Sequence, residues 1–208
     1  AEVNVDILTT IDHSAAGGIV RTARETMADI VILGWPGKVG LLEKLLGEKV
    51  DLIIKNMDKN LFVCHVEQKL ITHKRIFVIS PPSAELEDGF LLWVNKIATL
   101  SSELSIPVVH YGHPDTQKVI AAQKNAGAFT FHPFTDWEHP LSCGNAIKKD
   151  DMIILVSAHT GYVSHISILE NLPTRLEARF PEYSRIVIYP KQHPADQLLG
   201  SDDYIFIP

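Results

Sequence analysis

The chain has 208 residues, 46% of them hydrophobic and 21% charged, a balance typical of folded proteins and far from that of disordered chains. A net charge of -6 without a long basic run supplies no concentrated positive field, which argues against nucleic acid or an anionic lipid surface as a partner. The two cysteines, Cys64 and Cys143, form no CxxC pair. Neither a disulfide framework nor a thiolate zinc site is therefore indicated, and a reducing, cytoplasmic setting is expected.

No apolar run approaches the ~18 residues needed to cross a bilayer, and the N-terminus lacks the pattern of a signal peptide. The sequence opens almost directly on a strand-like run, Val3 to Ile11, as a segment cut from a longer polypeptide would. From there short β-branched runs alternate with segments of helical period, the pattern of βαβ units around a mostly parallel sheet. Strands are expected near residues 3–11, 29–34, 61–66, 75–80, 107–111, 128–132, 152–157 and 185–190, with helices in most of the gaps.

The helix after Pro82 is the clearest. Ser83 is placed to cap it, and Glu85, Glu87 and Asp88 suit its positive N-terminal end. Leu86, Phe90, Trp93, Ile97, Leu100 and Leu104 form one apolar stripe. The next helix starts near Asp115 and is expected to stop at Gly127 with a left-handed cap. Pro140 and Gly144 predict an irregular segment from Phe134 to Lys148. Lys191 to Pro208 is polar until Tyr204-Ile-Phe-Ile, which suits an edge strand or a docking segment.

An internal repeat links the two halves. Asp29-Ile-Val-Ile-Leu and Asp151-Met-Ile-Ile-Leu each begin a strand, 122 residues apart (151 − 29). Each is followed by a Gly-containing loop, an amphipathic helix and a final apolar strand, Leu61-Phe-Val-Cys in one copy and Ile186-Val-Ile-Tyr in the other. The second copy reads as whole from Lys74, with five strands, whereas the first has only its last three. A boundary falls at Gln68 to His73, dividing the chain into 1–70, 71–192 and a tail, 193–208.

Gly34-Trp-Pro-Gly37, then nine residues to Gly47, is the strongest local signal. Glycines after a parallel strand let backbone N–H groups approach a phosphate, and the following helix turns its positive end to the same anion. Asp29 to Val66 resembles the closing portion of a universal stress protein domain, whose pattern is Gly-x2-Gly-x9-Gly-Ser/Thr. Glu48 stands where that pattern has its hydroxyl, so a carboxylate would repel the phosphate that the resemblance implies. In the second copy the first strand ends at Ser80 before Pro81-Pro82, where the family has an acidic residue. Its loop, Ser157-Ala-His-Thr-Gly161, keeps one glycine. The second copy is read as fold alone, and Gly34, Gly37 and Gly47 as weak nucleotide-binding candidates against the alternative of a tight turn without ligand.

A narrower resemblance covers most of residues 3–192. Phe90-Leu-Leu-Trp-Val, Lys149-Asp-Asp-Met-Ile-Ile-Leu-Val-Ser-Ala, Leu172-Pro and Ile188-Tyr-Pro are similar to the cytoplasmic tails of bacterial sodium/proton antiporters of the cation:proton antiporter class. The resemblance implies tandem α/β units of universal stress protein type, the first incomplete, acting as a regulatory domain on the cytoplasmic side of the inner membrane. It also implies a transmembrane transport domain of the same full-length chain as partner. Exposed strand edges add the expectation of a homodimer, and no cofactor is expected. The alternatives are a free-standing universal stress protein binding ATP or another adenine nucleotide, and the tail of another transporter class such as an amino-acid permease.

An enzyme is the least favoured class, because no acid/base pair, metal set or nucleophile constellation stands out. Among ten histidines, His110, His113, His132 and His139 invite a metal reading, yet none has a recognised ligand spacing. They read as surface and loop residues or as proton sensors. Ser157 and His159 lie close in sequence without a Gly-x-Ser-x-Gly elbow. Cys64, Trp93 and Trp137 read as packing residues.

Overall fold

The structure, a computed structural model, describes residues 4–35 and 42–193, and for 42–48 the backbone course alone. Among the described residues seven strands form one sheet: β1 (Ile30–Gly34), β2 (Asn60–His65), β3 (Arg75–Ile79), β4 (Val108–Gly112), β5 (Phe129–Pro133), β6 (Asp151–Val156) and β7 (Arg185–Tyr189). Their spatial order is β1-β2-β7-β6-β3-β4-β5. Every pairing is parallel except β2 with β7. The helices are α1 (Ala15–Glu25), α2 (Leu42–Asn56), α3 (Phe90–Leu104), α4 (Pro114–Ala121) and α5 (Leu172–Arg179). No helix among the described residues is long and apolar enough to cross a membrane.

Parallel strands need helices on both faces, so their side chains are buried on both sides. β6 is buried at every position. Phe77, Ile79, Ile153, Leu155 and Val187 face a core closed by α1, α2, α5 and the stretch 134–147. Ile76, Val78, Ile154, Val156 and Ile188 face the opposite core, filled by Phe90, Trp93, Val94 and Ile97 of α3 and Ile120 of α4.

Numbered in chain order within the second unit, β3 to β7 lie in the sheet as 3-2-1-4-5. β1 and β2 repeat the last two of these. Val31 pairs with Leu61 as Ile153 pairs with Arg185, and Leu33 pairs with Val63 as Leu155 pairs with Val187. The two units share one sheet through β2 and β7, and the connector between them holds a short turn at Leu70–Thr72.

Three local expectations change. Residues 4–11 form no strand, and Val5, Ile7 and Ile11 are 78%, 90% and 91% exposed. Among the described residues the first unit thus has two strands, not three. The counterpart of β5, at residues 7–11 (129 − 122 = 7), has no partner strand among the described residues, because β5 itself pairs only with β4. Ser83 is not a helix cap: it sits at φ 61° after Pro81-Pro82 and opens a short turn at Ala84–Leu86, so α3 begins only at Phe90 and Leu86 is exposed. The helix after β4 ends at Ala121 with a right-handed cap, well before Gly127. Phe134 to Lys148 is irregular, as Pro140 and Gly144 imply, with one short turn at Ser142–Ala146. The Tyr204 stretch lies outside the described residues.

Candidate functional site

In a doubly wound sheet a ligand sits beyond the carboxyl ends of the strands, where the chain's direction of winding reverses. Here that point lies between β3 and β6. It is filled by the protein itself. Glu87, 3% exposed, accepts hydrogen bonds from the backbone N–H of Ser164 (3.0 Å), the Ser164 hydroxyl and the backbone N–H of His193. A buried carboxylate is stable only when its lone pairs are met by donors in this way. Glu85 accepts from Thr116 at the start of α4. Asp88 holds the other side: burial works to raise its pKa, but hydrogen bonds from His193 and Lys191 hold its carboxyl below the ordinary value.

The neighbouring ends of β3 and β4 are closed as well. Ser80, just past the end of β3, and His110, in the middle of β4, are both fully buried and bonded Oγ to Nε2 at 2.8 Å. Gln117 of α4 donates to the carbonyls of His110 and His132. Burial lowers the His110 pKa to about 3, so its ring is neutral. Gly112 lies directly over the pair, where an added Cβ would stand 2.7 Å from Ser80 Oγ. The pair shares a hydrogen bond in a sealed core and has no path to a substrate. Its partners are 30 residues apart in sequence, and no local pattern links them.

The glycine loop is described in part. Gly34 ends β1 and is exposed, and a Cβ there would meet nothing within 4 Å, so no close approach demands glycine. Gly37 lies outside the described residues. Gly47 falls inside α2, past its first turn, rather than at the helix start. In the second unit Gly161 does adopt a glycine conformation, φ +92°. Ser157 in the same loop is buried, and the His159 ring stacks on Tyr189, centroids 5.0 Å apart and nearly coplanar.

Beside that stack a cavity of about 590 Å³ separates α2 from the loop, lined among others by Asp51, Lys55, His159, Thr160, Glu170 and Tyr189. Burial, reinforced by the nearby His165, lowers the His159 pKa, and burial pushes the Tyr189 hydroxyl up to about 12. Both rings are uncharged at neutral pH. Among its described lining residues Lys55 is the one cation, set against the carboxylates of Asp51 and Glu170, which weakens its attraction for a phosphate.

The four histidines read for metal are scattered. His110 is in the core, His132 stacks on Tyr111 at 4.9 Å, His113 accepts from the Asp115 N–H at the start of α4, and His139 lies beside Asp136. Among the described residues no three of His, Cys, Asp and Glu converge on one point. Trp93 is fully buried against Phe90, and Trp137 packs edge-on to Phe134. Burial pushes the Cys64 thiol up and the Cys143 thiol to about 11, away from reactive thiolate.

No protein-family model matches the chain, and no curated protein matches it.

Proposed function

We propose that the chain is a regulatory cytoplasmic module of a membrane cation/proton antiporter, built from tandem units of universal stress protein type. The observation that carries this reading is Glu87. The crevice where such a unit would hold its nucleotide is occupied by the chain's own carboxylate, tied to Ser164 and His193. A scaffold kept while its ligand space is filled serves contacts with other parts of a protein better than chemistry. The 3-2-1-4-5 order of the second unit and the partial repeat across β2 and β7 are consistent with the tandem arrangement. In this reading the partner is the transport domain of the same full-length chain, and a homodimer forms through an exposed sheet edge.

The test is to express the native full-length reading frame and measure cation-driven proton exchange in everted vesicles. A frame with many membrane helices upstream, and exchange whose pH dependence shifts when residues 1–208 are deleted, is expected. A frame without membrane helices overturns the reading. Calorimetry on the 208-residue chain with ATP and magnesium separates the alternative: saturable micromolar binding lost in Gly37→Val would favour a nucleotide-binding stress protein.

A further inference from the structure

The two units offer the same positions in two different environments. Ile154 of β6 is 1% exposed beneath α3, whereas Ile32, its counterpart in β1 (154 − 122 = 32), is 69% exposed. Asp151 is 1% exposed and receives Arg75 Nε at 2.9 Å from the neighbouring strand β3. Asp29, its counterpart, is exposed and forms no ion pair among the described residues. The outer edge of β6 is taken by β3, in parallel register from Arg75–Asp151 to Ile79–Leu155. Among the described residues no strand pairs with the outer edge of β1.

Two further features fall at the same place. The Trp35 N–H donates to Cys64 of β2, so by the period of two the N–H groups of Ile32 and Gly34 point to the open side. Along that side runs an apolar groove of about 540 Å³, between Leu8 and Thr10, Ile19 and Ala23 of α1, and Ile30 and Val31. Leu8 and Thr10 belong to the strandless segment 4–11, whose Val5, Ile7 and Ile11 are also exposed. An open edge, a bare face, an unmatched carboxylate and an exposed strandless segment fall together here, and the second unit shows what covers the same positions there.

We infer that the outer edge of β1 and the face around Ile32 are the docking surface of a β-α-β segment equivalent to Arg75–Gly112. Its first strand is parallel to β1, opens with a cation set against Asp29 and continues with apolar residues. Its helix covers Ile32, Phe62 and Cys64, and its second strand pairs with residues 7–11. In the second unit the corresponding strands precede β5 in the chain, which makes the occupant the stretch of the same polypeptide that precedes residue 4. Parallel edge pairing supplies its backbone hydrogen bonds, and the Asp29 cation sets the register.

The experiment compares the 208-residue chain with the natural polypeptide extended upstream by a unit of this length, 54 residues from β3 to β5 (129 − 75). The readouts are amide hydrogen exchange at Ile32 and Gly34 and maleimide labelling of the Ile32→Cys variant. Exchange should slow by about a hundredfold or more and labelling by at least about tenfold in the extended chain. Asp29→Lys should reverse much of that protection. Unchanged exchange and labelling in the extended chain overturn the inference, as does a reading frame that starts at Ala1. Protection that instead grows with concentration of the 208-residue chain overturns it in favour of a second copy. An upstream segment that protects β1 but leads into no membrane helix would keep this inference and remove the transporter reading.

Discussion

Val63 of β2 pairs with Val187 of β7 at the centre of an antiparallel ladder whose flanking pairs mirror each other, Leu61 with Tyr189 and His65 with Arg185. Since β2 and β7 correspond at an offset of 124 (187 − 63), Val63 and Val187 are the same position of the repeat meeting itself. A symmetric seam of this kind needs no turn to set its register, because apolar residues on one face of each strand can interlock in only one alignment.

Val63 is 1% exposed and Val187 2%, and both belong to the core that also takes in α1, α2 and α5. Val63→Asp should therefore unfold both units together, losing roughly 3–5 kcal/mol by burying an unpaired charge. Urea denaturation followed by tryptophan fluorescence, with Trp35 in the first unit and Trp93 in the second, should show one transition in the parent. Two separated transitions would mean that the units fold independently.

Asp151 is met twice by the Arg75 guanidinium and once by the backbone N–H of Lys148. Asp151→Asn leaves Arg75, 17% exposed, without its counter-charge and should cost roughly 3 kcal/mol. The paired change Arg75→Met with Asp151→Leu should cost less than the single one. A double-mutant cycle by chemical denaturation measures the difference.

His110 makes stability depend on pH. Its pKa is about 3 in the folded chain against 6.5 ordinarily, and its neighbours Ser80, Gln117 and Phe131 carry no charge. The folded state therefore binds fewer protons than the unfolded one between these values, so stability is full above pH 6.5 and falls as the pH drops towards 3. The folding constant should lose up to about tenfold per pH unit from this group. His110→Asn should remove one proton from the slope when unfolding is measured between pH 4 and 7.

Gly89 is a fixed point of the seam. Its N–H donates to the Lys191 carbonyl at 2.7 Å, and an added Cβ would fall 2.5 Å from the Lys191 nitrogen. It would also strike Asn60 Oδ1, which accepts from that same nitrogen while Asn60 Nδ2 donates to the Asp29 carbonyl. Gly89→Ala should cost roughly 1–3 kcal/mol by overpacking against backbone that cannot retreat. A thermal melt with an unchanged midpoint would contradict this packing.

Seven strand positions, the helix of Phe90 and Trp93, and the repeat offset were legible in the sequence because each rests on periodicity within a dozen residues. The same local pattern failed at residues 4–11. An alternating apolar run becomes a strand only when another strand presents its edge, and that depends on residues distant in the chain. Ser83 failed as a cap for a related reason, since the turn after Pro81-Pro82 is held by contacts that Glu85 and Glu87 make with Thr116, Ser164 and His193.

The residues at the candidate site divide in the same way. The glycine spacing of Gly34, Gly37 and Gly47 was visible locally, but the filling of the switch point by Glu87 and the sealed Ser80–His110 pair join segments 77 and 30 residues apart. By itself the sequence determined an α/β chain with two related βαβ units, because hydrophobic period and β-branched runs act over short range. Only the tertiary structure decided that the units share one sheet through Val63 and Val187, and that Ile32 is left bare where Ile154 is covered. Burial and strand pairing are properties of what lies alongside, and no local pattern contains its neighbour.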